Sequence, residues 1–131
     1  MLNGVNAGDN WQKCPVFTID GAEGRAWVQI DLKQMHLVSK VTFWQLAGRA
    51  YQGHGVSVSK TGQFGKDDTI WLLNRGLDET GPRTESVATD APENTVGRYV
   101  RVYSGASPGY NGAHFNEVAI EGTSRITTTC D

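Results

Sequence analysis

Three histidines, two cysteines and fourteen acidic residues carry most of this chain's capacity for chemistry, and none of them falls into a spacing that performs a reaction. His36, His54 and His114 lie far apart, with no HxxxH or HExxH pair to seat a metal. There is no GxSxG elbow to present a nucleophile, and no glycine-rich loop leads into a helix. Fourteen carboxylates allow a chance pairing of the kind glycoside hydrolysis uses, but no Asp or Glu stands in a motif that singles it out. Cys14 and Cys130 sit near the two ends, which excludes a CxxC zinc or redox motif. They permit one disulfide closing almost the whole chain, worth about 4–5 kcal/mol in the loop-entropy model. The other reading is two free thiols. Sandwich termini often lie close together, which favours the bridge. No residue is assigned a catalytic role, and the expectation is a domain that binds rather than reacts.

The residues suited to binding lie between the apolar runs. Trp11 stands in a polar stretch, Asn10-Trp11-Gln12-Lys13, where no strand would bury it. Arg49-Ala50-Tyr51-Gln52-Gly53-His54-Gly55 joins two apolar runs, and Pro108-Gly109-Tyr110-Asn111-Gly112-Ala113-His114 joins two more. A sugar presents an apolar C–H face ringed by hydroxyls, so its site pairs an aromatic platform with planar donors and acceptors. Trp11, Arg49, Tyr51, His54, Tyr110 and Asn111 supply that mixture and are expected to gather at one end of the domain. The competing reading packs Tyr51 and Tyr110 on a sheet edge and uses the polar residues to satisfy turns. Trp27 and Trp71 lie in apolar runs and are expected in the core. Trp44 suits either a core position or a pocket wall.

The elements that must hold such loops are short strands. With 131 residues, the chain fits one domain, 1–131, able to bury roughly two thirds of its unfolded surface. Sixteen glycines and almost no helical periodicity point to strands joined by tight turns. Trp27–Leu32, Gly55–Ser59 and Arg98–Tyr103 alternate with period two; Val38–Leu46, Thr69–Leu73 and Phe115–Ile120 complete the strand set. In Val38–Leu46, Val41, Phe43 and Gln45 face one way, Thr42 and Trp44 the other. Asn74–Arg83 reads as a loop, and turns of helix are confined to Pro15–Phe17 and Ala91–Asn94. This spacing predicts an all-β, antiparallel β-sandwich or barrel. The net charge of −2, without a basic run, excludes nucleic acid as the expected partner. No apolar stretch approaches the ~20 residues of a membrane span, and Met1–Gly4 lacks the pattern of a signal peptide.

Four ordered segments resemble the discoidin, or coagulation factor V/VIII C-domain, family, nearest to the family 32 carbohydrate-binding modules of galactose-binding-like fold. Pro15-Val16-Phe17-Thr18-Ile19-Asp20-Gly21 is similar to that family's A-x-D-G signature, and Ala26–Leu32 to its W-x-Q-V-D-L strand. Val56–Gly62 resembles its V-x-V-S-x-D-G hairpin, and Gly97–Tyr103 with Asn116–Gly122 its last strands. The resemblance spans residues 10–122. It implies a jelly-roll-like sandwich of about eight strands that binds a glycan or polysaccharide through loops at one end. It also implies a secreted setting, fusion to the other domains of a larger enzyme or adhesin, and a structural calcium held by Asp20 and Glu117. Ala22 and Arg25 replace two of the family's usual oxygen donors, and Arg25 could pair with either carboxylate in a metal-free site. Discoidin-type domains also bind proteins and cell surfaces, which is the alternative function.

Overall fold

The computed structural model describes residues 16–19, 26–45, 53–75, 86–105, 112–115, 117–122 and 125–127, and among these it contains strands and turns but no helix. Nine strand segments follow one another: β1 (Val16–Ile19), β2 (Ala26–Trp44), β3 (Gly55–Ser59), β4 (Thr69–Asn74), β5 (Ser86–Asp90), β6 (Val96–Ser104), β7 (Gly112–Phe115), β8 (Glu117–Gly122) and β9 (Arg125–Thr127). All pairings are antiparallel.

The architecture turns on β2. Its 19 residues belong to two sheets. The first half pairs with β6, which continues to β3 and β4. Over Lys40–Trp44 the second half lies between β5 and β8, and β9 extends that sheet beyond β8. The change of sheet follows an irregularity between Asp31 and His36, where Lys33 takes a left-handed φ of 74°. A bulge of this kind bends a strand and sharpens its twist. Asp31 fixes it by accepting the backbone N–H of Lys33 at 2.8 Å.

Period-two alternation then places the core between the sheets. Val56, Val58, Val100 and Val102 point inward from the first sheet, and Val41, Phe43, Val87, Val118 and Ile120 from the second. Fully burying each such side chain stabilises the fold by about 1.5–3 kcal/mol. The separate two-stranded pair β1–β7 delivers Phe115 to this core, its ring 6.0 Å from Phe43.

The sandwich expected from the sequence is present, with local differences. The runs at 27–32 and 38–46 are one bent strand, because the bulge carries the pairing through the polar residues between them. Val16–Ile19, which overlaps the Pro15–Phe17 stretch expected as a turn of helix, is extended and pairs with Gly112–Phe115. Residues 93–94 form a turn, closed by Thr95 donating to the Pro92 carbonyl through N (3.3 Å) and Oγ1 (2.7 Å). β5 was unmarked in sequence because a single apolar side chain, Val87, anchors it.

At Gly122 the strands β2 and β8 approach so closely that a Cβ would collide with the backbone carbonyl of Leu37. Gly122→Ala is therefore expected to destabilise the domain by about 1–3 kcal/mol, as overpacking does. Urea unfolding should show a lower midpoint at an unchanged slope.

Candidate functional site

The face of the first sheet that points away from the core carries the chemistry. Residues directly opposite in neighbouring strands share a face. Trp27 lies opposite Tyr103, and Gln29 opposite Arg101. Ser57 of β3 lies between Arg101 of β6 and Trp71 of β4. The β3 row is small here, Gly55, Ser57 and Ser59, so the large side chains on either side lean over it and leave those three buried. Across the row the Trp71 and Tyr103 rings meet at 5.3 Å, inclined by 37°. On the other flank the Arg101 guanidinium lies between two rings, 4.0 Å from the centroid of Trp27 and 4.1 Å from that of Phe64. Its Nε donates to Gln29 Oε1 at 2.9 Å.

Together these residues line an open groove of about 500 Å³, completed by Gly65, Lys66 and Thr69. Trp27 and Trp71 are 38% and 41% exposed in it. None of its lining residues among those described is acidic. The expectation that Trp27 and Trp71 belong to the core is thereby corrected: both rings stand on the outer face. Trp44 is half-buried.

Phe64 is held in place by its loop. It adopts a left-handed φ of 53°, a conformation that costs a bulky residue about 1–3 kcal/mol and persists only where the surroundings enforce it. The enforcement comes from Asp68. Its carboxylate accepts the Lys60 N–H (3.0 Å) and the hydroxyls of Thr61 (2.7 Å) and Ser59. Gly62 N–H in turn donates to Ser59 Oγ (2.9 Å), and Thr69 Oγ1 to the Gly65 carbonyl (2.8 Å). Gly62, at φ 87°, sits against the Tyr99 ring.

Of the residues expected to bind ligand, Trp11, Arg49, Tyr51, Tyr110 and Asn111 lie outside the described residues. So do Asp20, Cys14 and Cys130. His54 is described and is 1% exposed, with its ring 5.7 Å from Phe43. Its Nε2 donates to Gln45 Oε1 at 2.9 Å, tying the end of β2 to the residue that precedes β3. That is an interior position beneath the surface. Glu117, expected as a calcium ligand, is buried at the start of β8, opposite Trp44. Among the described residues no three His, Cys, Asp or Glu side chains cluster as a metal site. The strand ends bounding the loops at 46–52 and 106–111 are neighbours, since Gly55 pairs with Tyr103.

Sequence reasoning did not single out Phe64, Lys66 or Arg101. Strand parity held the signal. Val28 and Ile30 point inward, so Trp27 must share the outer face with Gln29; Val100 and Val102 likewise send Arg101 and Tyr103 outward.

No protein-family model matches the chain, and no curated protein does. Solved structures do match. A fucolectin from striped bass (Morone saxatilis) serum superposes with a TM-score of 0.68 at 17% identity, over 91% of this chain and 39% of that one. A fucose-binding module of Streptococcus pneumoniae gives 0.63 at 17%, over 92% and 81%. The module CBM32-6 of Clostridium perfringens gives 0.59 at 13%, over 81% and 75%. This chain has their fold. At such identities the likeness is one of fold, and it agrees with the discoidin-like sandwich that the sequence motifs implied. No helix among the described residues is long and apolar enough to cross a membrane.

The anchoring of the loop at 60–68 has a pH signature. The Ser59 and Thr61 hydroxyls hold the Asp68 carboxyl at a pKa of about 2, below its usual 3.8. A carboxyl depressed by folding stabilises the fold above its unfolded pKa and loses that contribution as pH falls through the folded one. The melting temperature should therefore drop between about pH 4 and 2. Asp68→Asn should flatten the Asp68 share of that drop, while Asp31, also held near 2 by Arg98, retains its own. Thermal melts at stepped pH provide the comparison.

Proposed function

We propose that this chain is a non-catalytic glycan-binding module, working as one part of a larger extracellular protein. The observation that carries the reading is the pair of exposed tryptophans, Trp27 and Trp71, flanking one groove. Exposed rings in contact with water are unfavourable unless a ligand covers them, and a sugar's C–H face covers them well. Around the rings stand the polar groups that a sugar's hydroxyls need: Arg101, Thr69, Lys66 and the Tyr103 hydroxyl.

The fold neighbours point the same way, because those superposed above are named for fucose binding, lectin activity or a carbohydrate-binding module. The chain matches 39% of the fucolectin, so this fold also occurs as one part of a longer chain. The adjacent ends of β3 and β6 favour a second contact surface formed by the segments that carry Arg49, Tyr51, Tyr110 and Asn111, and Trp11 is proposed to join them. A structural calcium at Asp20 and Glu117 belongs to the same reading; Glu117 would supply a carboxylate from the first residue of β8. If the metal is bound, a chelator lowers the melting temperature; an unchanged melt removes calcium from the account.

Calorimetry against a panel of soluble oligosaccharides and polysaccharides tests the function. Binding is expected at micromolar to millimolar Kd, roughly −8 to −4 kcal/mol. Trp27→Ala and Trp71→Ala should each weaken it about tenfold or more, equivalent to ~1.4 kcal/mol, with the fold intact. If both variants bind as the parent does while Tyr110→Ala loses binding, the site lies in the loops. If nothing on the panel binds, a protein or cell-surface ligand replaces the glycan.

A further inference from the structure

Resting on the reading of the groove as a glycan site, we infer that its ligand is an acidic saccharide, one bearing a carboxylate or a sulfate ester, and that Arg101 with Lys66 selects it. The case begins with the contrast between two arginines of β6. Arg98 is neutralised: its Nε and Nη2 reach the two oxygens of Asp31 at 2.7 and 2.9 Å. Arg101 has no carboxylate partner among the described residues. Its one described hydrogen bond runs to the uncharged amide oxygen of Gln29.

The geometry around Arg101 restricts what can approach it. The Trp27 and Phe64 rings both stack against the guanidinium, which favours approach of a ligand along its edge, in its own plane. In that plane Gln29 occupies the Nε position and leaves the Nη edge. A guanidinium edge is the complement of a planar carboxylate or of two sulfate oxygens, which it binds in a fork. The stacking also immobilises a side chain that would otherwise lose considerable rotamer freedom on binding. The arrangement is therefore ready before the ligand arrives.

Charge in the groove reinforces this. Lys66 adds a second cation on the lining, also without a carboxylate partner among the described residues, and none of the described lining residues is acidic. The whole chain carries a net charge of −2, so the positive groove is a local departure from an acidic molecule. Phe64 explains why the loop tolerates its left-handed conformation: released, the ring would uncover one face of Arg101. A neutral sugar needs only the aromatic platforms and hydroxyl partners. A stacked guanidinium with no carboxylate partner among the described residues, in one groove with a lysine, favours an anion.

Three polymers separate the alternatives: polygalacturonate (carboxylate), iota-carrageenan (sulfate ester on a galactan) and neutral β-1,4-galactan. At low ionic strength the parent protein should bind at least one acidic polymer about tenfold more tightly than galactan, one charge-assisted fork accounting for a factor of that order. The preference should shrink as salt is added. Arg101→Gln should weaken binding of the acidic polymer much more than binding of galactan and so remove the preference, and Arg101→Lys should restore it only in part. Lys66→Gln, at an exposed position outside the packed core, should reduce the preference about twofold to fivefold and serves if Arg101→Gln fails to fold. Which acidic polymer binds identifies the anion. Galactan bound as tightly as both acidic polymers would overturn the selectivity and leave the glycan site standing. So would a preference that survives both neutralising substitutions. Failure to bind any of the three, or a wider neutral panel, would overturn both.

Discussion

The bidentate pair between Asp31 and Arg98 sits where the structure has least freedom, on the strand that both sheets share. β2 must leave β6, bend, and enter between β5 and β8 within a few residues. Asp31 anchors that bend from two sides, binding Arg98 across the strand pair and the Lys33 N–H within the bulge. The pair is partly exposed, so its direct contribution to stability is modest. Its geometric effect is larger. The bend sets where the second half of β2 begins its pairing, and a one-residue slip there would turn Val41 and Phe43 out of the core. Placement of Gly122 against the Leu37 carbonyl reinforces the same register from the β8 side.

The groove inherits its shape from that frame. Register puts Trp27 beside Tyr103 and Gln29 beside Arg101, while the small residues of β3 let Trp71 lean across to Tyr103. Four of the five aromatic or guanidinium groups, Trp27, Arg101, Tyr103 and Trp71, therefore stand on paired strands, where backbone hydrogen bonds fix their spacing. Phe64 alone depends on a loop, and that loop is held chiefly by the Asp68 carboxylate, with Gly62 against the Tyr99 ring. Platforms held in this way suit ligand binding, because most of the ordering cost is met before the ligand arrives.

Much of this was legible in the sequence. The alternation of Val28, Ile30, Val100 and Val102 marked the strands and the inward face, and the motif order from Asp20 to Gly122 marked the fold. The same alternation assigned Trp27 and Arg101 to the outer face, yet Trp27 reads as core when judged by residue type alone. Parity was the better guide. What the sequence did not show has physical causes. The β2 bulge depends on a side chain 67 residues away, Arg98, which no local pattern reveals. β5 has one buried apolar residue, too few for a periodic signal. Phe64 lies in a turn, and its contact with Arg101 arises only once β3, β4 and β6 are assembled. His54, flanked by glycines in a polar loop sequence, gave no sign of its buried bond to Gln45.

The central claim is that the outer face of the first sheet meets the glycan, and the indole N–H resonances test it most directly. The chain has four tryptophans, so four indole cross-peaks can be followed while a bound oligosaccharide is titrated in. The account predicts that the Trp27 and Trp71 peaks, assigned by single substitution, shift together and saturate at one Kd, with Trp44 still. Saturable binding that leaves Trp27 and Trp71 unmoved would contradict it.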